Sequence, residues 1–283
     1  MQIGAAMFFT DYSITAPVLA RALEERGFES LWAPEHSHIP VDTKSSFPLW
    51  DAIPKKYYDV MDPFVSLTAA AVATETLKLG TGICLVQQRD PIQTAKLVAS
   101  IDQVSGGRFL FGVGTGWNAE EMADHGTVFE TRNKLARERI EAMKEMWTQS
   151  KAEYHGDMVD FPPMMMWPKP VQKPYPPVIV EGAWPYAARR SVRYGDGWIP
   201  HAALPPHDDV TDFIPEFQKM ARDAGRDPTE LPVTVWGAQP HLDQFKQRRD
   251  RGAARVVISL ESEPEVEILR QLDMWAEIKA KLN

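Results

Sequence analysis

Apolar residues fall along this chain in short continuous runs of four to eight, each followed by a longer stretch whose apolar positions recur every third or fourth residue. Ile3 to Phe8 is the first such run, and its lack of polar alternation suits a strand buried on both faces. A helix follows with Pro17 in its first turn, Leu19, Ala22 and Leu23 turned inward, and Gly27 past its end. Ser30 to Ala33 makes a second strand. After a polar and aromatic insertion from His38 to Met61, Asp62-Pro63 supplies an N-cap and first-turn proline for a helix through Ala73. Leu77 to Leu85 reads as the third strand, and Asp90-Pro91 opens a third helix with Leu97, Ile101 and Val104 on one face. Phe109 to Val113 is the fourth strand. Its helix, Thr131 to Thr148, carries Ala136, Ile140, Met143 and Trp147 at helical spacing.

A second insertion, 150–177, is rich in proline, methionine and aromatic residues and reads as a hairpin followed by a wrapping loop. Met164 to Met166 suit gap-filling or a subunit contact better than a substrate lid, because methionine is adaptable without being chemically specific. Four further strands are predicted: Val178 to Val180, Gly197 to Ile199, Val233 to Trp236 and Arg255 to Leu260. Eight strands alternating with helices, without a linker, predict one domain over residues 1–283. The fold expected is an α/β (β/α)8 TIM barrel with insertions after strands 2 and 4, an open doubly wound sheet being the runner-up.

Composition narrows the partners. Thirty-one Lys and Arg against 39 Asp and Glu leave a formal charge of −8 with no long basic run, so nucleic acid has little to bind. A small-molecule substrate is expected. Cys84 is the only cysteine, no apolar run approaches a membrane span, and the N-terminus shows no signal-peptide pattern, so a cytoplasmic protein without a membrane partner is expected.

In an α/β barrel the chemistry gathers where strands end. Strand two ends in Pro34-Glu35-His36, and a histidine there can exchange a proton near neutrality, with Glu35 beside it to tune or orient it. Strand three ends in Thr81-Gly82-Ile83, strand four in Gly114-Thr115-Gly116-Trp117-Asn118, strand five in Glu181-Gly182-Ala183-Trp184, and strand six in His201. Glycines at these ends let a flat or anionic ligand approach the backbone. Gly112-Val-Gly114-Thr-Gly116 fails the dinucleotide fingerprint, whose third glycine should fall at Trp117. His36-Ser37-His38 with His201 suggests a barrel metal hydrolase, but strand eight ends in Ser259-Leu260-Glu261 without a clear carboxylate ligand, and no metal is expected.

Taken together, Pro34-Glu35-His36, Gly80-Thr81-Gly82-Ile83 with Arg89-Asp90-Pro91, Ser105-Gly106-Gly107-Arg108 with Gly112 to Asn118, and Tyr194-Gly195-Asp196-Gly197-Trp198 resemble the luciferase-like monooxygenase superfamily. The likeness runs to about residue 201 and is greatest to the branch that uses the deazaflavin coenzyme F420. It implies a hydride-transferring oxidoreductase with His36 and Glu35 beside the reactive ring. It places a ring-supporting bulge with a non-prolyl cis peptide at Gly82-Ile83, and a phosphate site at Gly182-Ala183 ahead of a helix starting at Trp184-Pro185. Thr81 and Gly116 complete the implied cofactor site. Glu35 stands where the deazaflavin dehydrogenases carry aspartate, and Ala183 where a second glycine is usual. Sugar-phosphate-oxidising members have an acidic glutamate where this chain has Trp117, so sugar phosphate is not the expected substrate. Trp117, with Trp50, Tyr57 and Tyr58 in the first insertion, points instead to an apolar or aromatic one. The resemblance leaves a reduced-FMN monooxygenase as the alternative, with a non-catalytic flavin-binding protein behind it. The apolar run Phe161 to Trp167, which a solitary barrel would expose, together with the dimeric habit of the resembling family, predicts a homodimer.

Overall fold

The computed structural model describes residues 1–282 apart from Trp50, Ala203, Pro206 and Asp208. Eight parallel strands form its centre: Gln2–Ala6, Ser30–Ala33, Lys78–Thr81, Phe109–Gly114, Val178–Glu181, Gly197–Ile199, Thr234–Ala238 and Arg255–Ser259. Each of the first five pairs with the next in chain order, and the last lies between Thr234–Ala238 and Gln2–Ala6. Bridges Trp198 to Val233 and His201 to Trp236 join the sixth strand to the seventh and nearly close the ring. The result is a TIM-like barrel and excludes the open sheet.

The strands are apolar on both faces because each separates two cores. Ala6, Trp32, Leu110, Ile179, Ile199 and Val257 fill the lumen, while other strand residues such as Ile3, Leu31, Leu79, Phe111, Val178 and Val256 join the larger core shared with the helices. Trp32 meets Trp236 edge-on at 6.4 Å inside the barrel. Gly80 makes that possible, since a Cβ there would lie 2.3 Å from the Trp32 ring. At the opposite end from the mouth, Arg255 grips the Glu29 carboxylate at 2.6 Å.

Both Asp-Pro pairs cap helices as the sequence predicts. Asp62 accepts from the amides of Phe64 and Val65 ahead of Pro63–Val72, and Asp90 from Gln93 ahead of Pro91–Val104. The third helix is rotated from the expected face: Ala95, Val98, Ala99 and Ile101 are buried, whereas Leu97 and Val104 are exposed. Asp102 occupies part of the buried face, where it receives the backbone amide and side chain of Gln172. The third strand is also shorter than its apolar run, because a cis peptide at Gly82-Ile83 separates Lys78–Thr81 from the two-residue strand Cys84–Leu85.

The chain between Ala33 and Pro63 holds one 3-10 turn, Lys55–Tyr57, among its described residues. A short helix, Ala119–Asp124, precedes Arg132–Thr148 after the fourth strand; the apolar pattern did not reveal it. Ala152–His155 and Asp160–Met164 form an antiparallel hairpin. Of Phe161 to Trp167, Phe161 and Met166 are buried, while Met165 and Trp167 are its large exposed apolar side chains. Among the described residues no helix is long and apolar enough to cross a membrane.

Candidate functional site at the barrel mouth

A cavity of about 330 Å3 opens where the strands end, a size in the range of small-molecule sites. Its walls come from Phe8, the Pro34-Glu35-His36 turn, Gly82-Ile83, Thr115 to Trp117, Glu181 to Ala183, Ile199, His201 and Trp236, with Phe47, Leu49 and Tyr57 over it. Residues from many strands therefore share one space.

His36 is fixed from behind. Its Nδ1 lies 2.8 Å from Oε2 of Glu121, whose side chain is fully buried. The other oxygen of that carboxylate accepts from the backbone N–H of Ser37 at 3.0 Å. Burial works against ionisation of Glu121, but the hydrogen bond and charge of His36 and the Ser37 amide outweigh it and hold the carboxyl below its ordinary value. An ionised carboxylate only accepts, so Nδ1 must carry the hydrogen, leaving Nε2 as the nitrogen for exchange in the cavity. The Tyr57 and Trp117 rings pack on His36 at 5.1 and 5.6 Å.

The short helix that carries Glu121 organises the loop after strand two. Asn118 caps it by accepting from the Glu121 amide. Glu120 binds Thr43, Lys44 and Ser45, and Asp124 binds Nε2 of His38 at 3.0 Å. His36 and His38 thus turn to separate carboxylates. Among the described residues no three His, Cys, Asp or Glu side chains gather as metal ligands.

Glu35 points elsewhere than its neighbour. Its carboxylate accepts from the Leu85 amide at 2.7 Å and pairs with Arg89, which also binds Asp62. Glu35 thus ties down the chain beyond the Gly82-Ile83 cis peptide, while the His36 ring is held by Glu121. That cis peptide stands at the position the family resemblance implies.

The other sequence-derived candidates divide. Gly82, Ile83, Gly116, Trp117, Gly182 and Ala183 line the cavity. Gly116 sits at φ 61°, a left-handed backbone that favours glycine. Thr81 is fully buried, with its hydroxyl donating to the Gly112 carbonyl at 2.7 Å, and is not a lining residue. Trp184 stacks on Phe213 at 5.0 Å and does not reach the wall. Tyr58 is 53% exposed and lies off the cavity; its neighbour Tyr57 is the lining tyrosine, with burial raising its pKa. Trp50 lies outside the described residues.

Among the lining residues that the sequence reading did not assign to the site, two carry ionisable groups close to one another. Glu181, the last residue of the fifth strand, is pushed up to about 7 by burial, with Arg190 opposing. Arg190, from the helix Tyr186–Tyr194, has a buried Nε without a partner. The Arg190 guanidinium, whose Nη2 lies 3.2 Å from where a Cβ on Gly182 would stand, together with apolar walls at Ile83, Leu85, Ile199 and Trp236, fits a ligand with a flat ring and an anionic group. A flavin or deazaflavin nucleotide has both.

A family model described as luciferase-like monooxygenase matches residues 15–277. An uncharacterised protein of Mycobacterium tuberculosis is 36% identical over 265 residues, which cover 92% of each chain. An F420-dependent hydroxymycolic acid dehydrogenase of the same organism is 28% identical over 217 residues, 75% of this chain and 55% of that protein. Among solved structures, monooxygenase RslO1 from Streptomyces bottropensis superposes with TM-score 0.80 at 20% identity, covering 98% of both chains. An F420-dependent secondary alcohol dehydrogenase, solved with an F420-acetone adduct, superposes with TM-score 0.77 at 18% identity, covering 100% of this chain and 99% of that one. At such identities the two structures establish a shared fold.

Proposed function

The chain belongs to the luciferase-like monooxygenase family, and from that premise we propose that it is a cytoplasmic oxidoreductase passing hydride between coenzyme F420 and an apolar or aromatic organic substrate. The observation that carries this reading is the His36 and Glu121 pair, a proton-exchanging imidazole with a buried anchor, facing the cavity at the barrel mouth. The 28% identity to an F420-dependent dehydrogenase supports the deazaflavin.

The cofactor supplies hydride acceptance and donation. Ile83 and the backbone at Gly82 and Gly116 would support its ring, and Arg190 with the Gly182-Ala183 backbone its anionic end. Trp117, Tyr57 and Phe47 would wall the substrate and exclude water. In the oxidative direction the substrate C–H bond breaks and its electron pair leaves with the hydride. The O–H bond breaks at the same carbon's oxygen, the proton passes to Nε2 of His36, and a C=O bond results. Reduction is the reverse, with Nε2 returning the proton. Glu121 stabilises the imidazolium formed on the way.

A reduced-FMN monooxygenase on the same scaffold is the second reading, favoured by the fold shared with RslO1. His36→Ala tests the first. Proton transfer by a positioned side chain is worth about two to four orders of magnitude, so the variant should lose that much turnover and keep its affinity for F420. Unchanged turnover would remove His36 from the reaction.

A further inference from the structure

We propose that Glu181 contacts the ring system of the bound cofactor and exchanges a proton with it, while His36 serves the substrate. This rests on the hydride-transfer reading above and adds a second proton-transfer group to it.

Strand alternation directs Glu181 inward. Val178 and Val180 pack outward with the helices and Ile179 belongs to the lumen cluster, so the residue two places after Ile179 faces the mouth. The neighbouring strand leaves room for its carboxyl. Oε2 lies 2.8 Å from the place a Cβ would occupy on Gly114, one residue beyond the Val113 to Val180 pairing. There the carboxyl has no hydrogen-bond donor and no cation within ion-pair distance among the described residues, although it lines the cavity.

The titratable and charged groups facing this space are His36 and Glu35 from the end of strand two, His201 from strand six, Tyr57 from the loop above and Arg190 from the helix after strand five. Glu35 is committed to Arg89, and burial together with Arg248 lowers the pKa of His201. Arg190 is the cation nearest to Glu181 in effect, yet burial prevails and raises the carboxyl to about 7. A carboxyl raised this far towards neutrality can give or take a proton. Strands two and five stand three places apart around an eight-strand ring, so His36 and Glu181 address a ligand from well-separated sides.

The chemistry balances. When hydride arrives on a planar conjugated ring, its electron pair leaves net negative charge on the ring heteroatoms. The Glu181 O–H bond breaks, a bond from a ring heteroatom to that hydrogen forms, and the carboxylate remains. When hydride departs, the same proton returns to Glu181.

The test is tryptophan quenching by oxidised and by reduced F420 between about pH 5.5 and 8.5 in wild type and Glu181→Gln, the amide being a donor that cannot ionise. Wild-type affinity for the reduced, anionic form should fall by up to tenfold per pH unit above about pH 7 relative to the variant, which keeps its low-pH affinity. Parallel curves would overturn the proposal. A second arm follows the carboxyl by infrared difference spectroscopy in the ligand-free protein. A band lost in Glu181→Gln that titrates near 7 supports the assignment, and ionisation near 4.5 overturns it. Should wild type bind neither form of F420, the deazaflavin reading fails by itself; the same pH series with reduced FMN then decides Glu181, and parallel curves there overturn it.

Discussion

Glu121→Gln changes one atom of a buried side chain and should disable His36 without emptying the site. In the native protein the carboxylate accepts from Nδ1 of His36 at 2.8 Å and from the Ser37 amide at 3.0 Å. Glutamine has one oxygen for those two donors. If it stays with the Ser37 amide, the amide NH2 faces Nδ1, which must then become an acceptor, and the ring hydrogen moves to Nε2. The neutral imidazole would then present a donor to the cavity in place of the base that takes the substrate proton. Tautomer reversal at a comparable histidine in serine proteases costs about 10⁴ in kcat, and a general base is worth about 10² to 10⁴. Glu121→Gln should thus lower substrate oxidation by two to four orders of magnitude. Charge-assisted hydrogen bonds contribute about 1.5–3 kcal/mol each, so a modest drop in melting temperature should accompany it. Cofactor affinity should hold, because Glu121 does not line the cavity. The assay combines steady-state turnover, F420 titration and 15N spectra of the imidazole nitrogens. Turnover within about threefold of wild type, beside a reversed tautomer, would refute the role assigned to Nε2.

At Gly82, a valine Cβ would lie 2.3 Å from the Trp236 indole, so Gly82→Val should lower stability by about 1–3 kcal/mol through overpacking and weaken cofactor binding; unchanged melting and affinity together would contradict the packing at this wall. Burial would raise the Glu29 pKa, but the hydrogen bonds and charge of Arg255 overcome it and hold the carboxyl at about 2. Because the folded-state value is depressed, that stabilisation is full above about pH 4.5 and is lost as pH falls toward 2, about 3 kcal/mol in all. Glu29→Gln should flatten this limb in denaturant titrations at low pH, and an unchanged acid limb would show that the pair adds nothing. Exposed Val65, Val72, Leu97, Val104, Met165 and Trp167 on the second and third helices and the adjoining loop fit a two-fold contact. Sedimentation should give a homodimer of the 31.9 kDa chain, and a single monomeric species would contradict it.

Local signals carried the barrel. Continuous apolar runs marked the strands because both strand faces are buried, and Asp62-Pro63 and Asp90-Pro91 marked helix starts because the cap is a short-range hydrogen bond. The site was legible only in part, since its pairings are long-range. His36 was visible at a strand end, but its partner lies 85 positions away on a helix too short for periodicity. The only local trace was Asn118 before Glu120 and Glu121, an N-cap with acids in the first turn. Glu35 looked like the partner by adjacency, but its carboxylate is taken by the Leu85 amide and Arg89. Tyr57 and Tyr58 differ only in their phase on a 3-10 turn, which composition does not reveal. Glu181 was visible as a residue, but the space for its carboxyl at the cavity wall and the direction of its pKa depend on Gly114 and Arg190 from other elements.

The most direct test of the account is anaerobic turnover. Purified protein, oxidised F420 and a panel of apolar and aromatic alcohols are mixed without oxygen, and the visible absorbance of the deazaflavin is followed. The account predicts bleaching with stoichiometric carbonyl product, abolished in His36→Ala. No bleaching with any alcohol, no reoxidation of reduced F420 by the corresponding carbonyls, and product only with reduced FMN and oxygen would contradict it and assign the site to the monooxygenase reading.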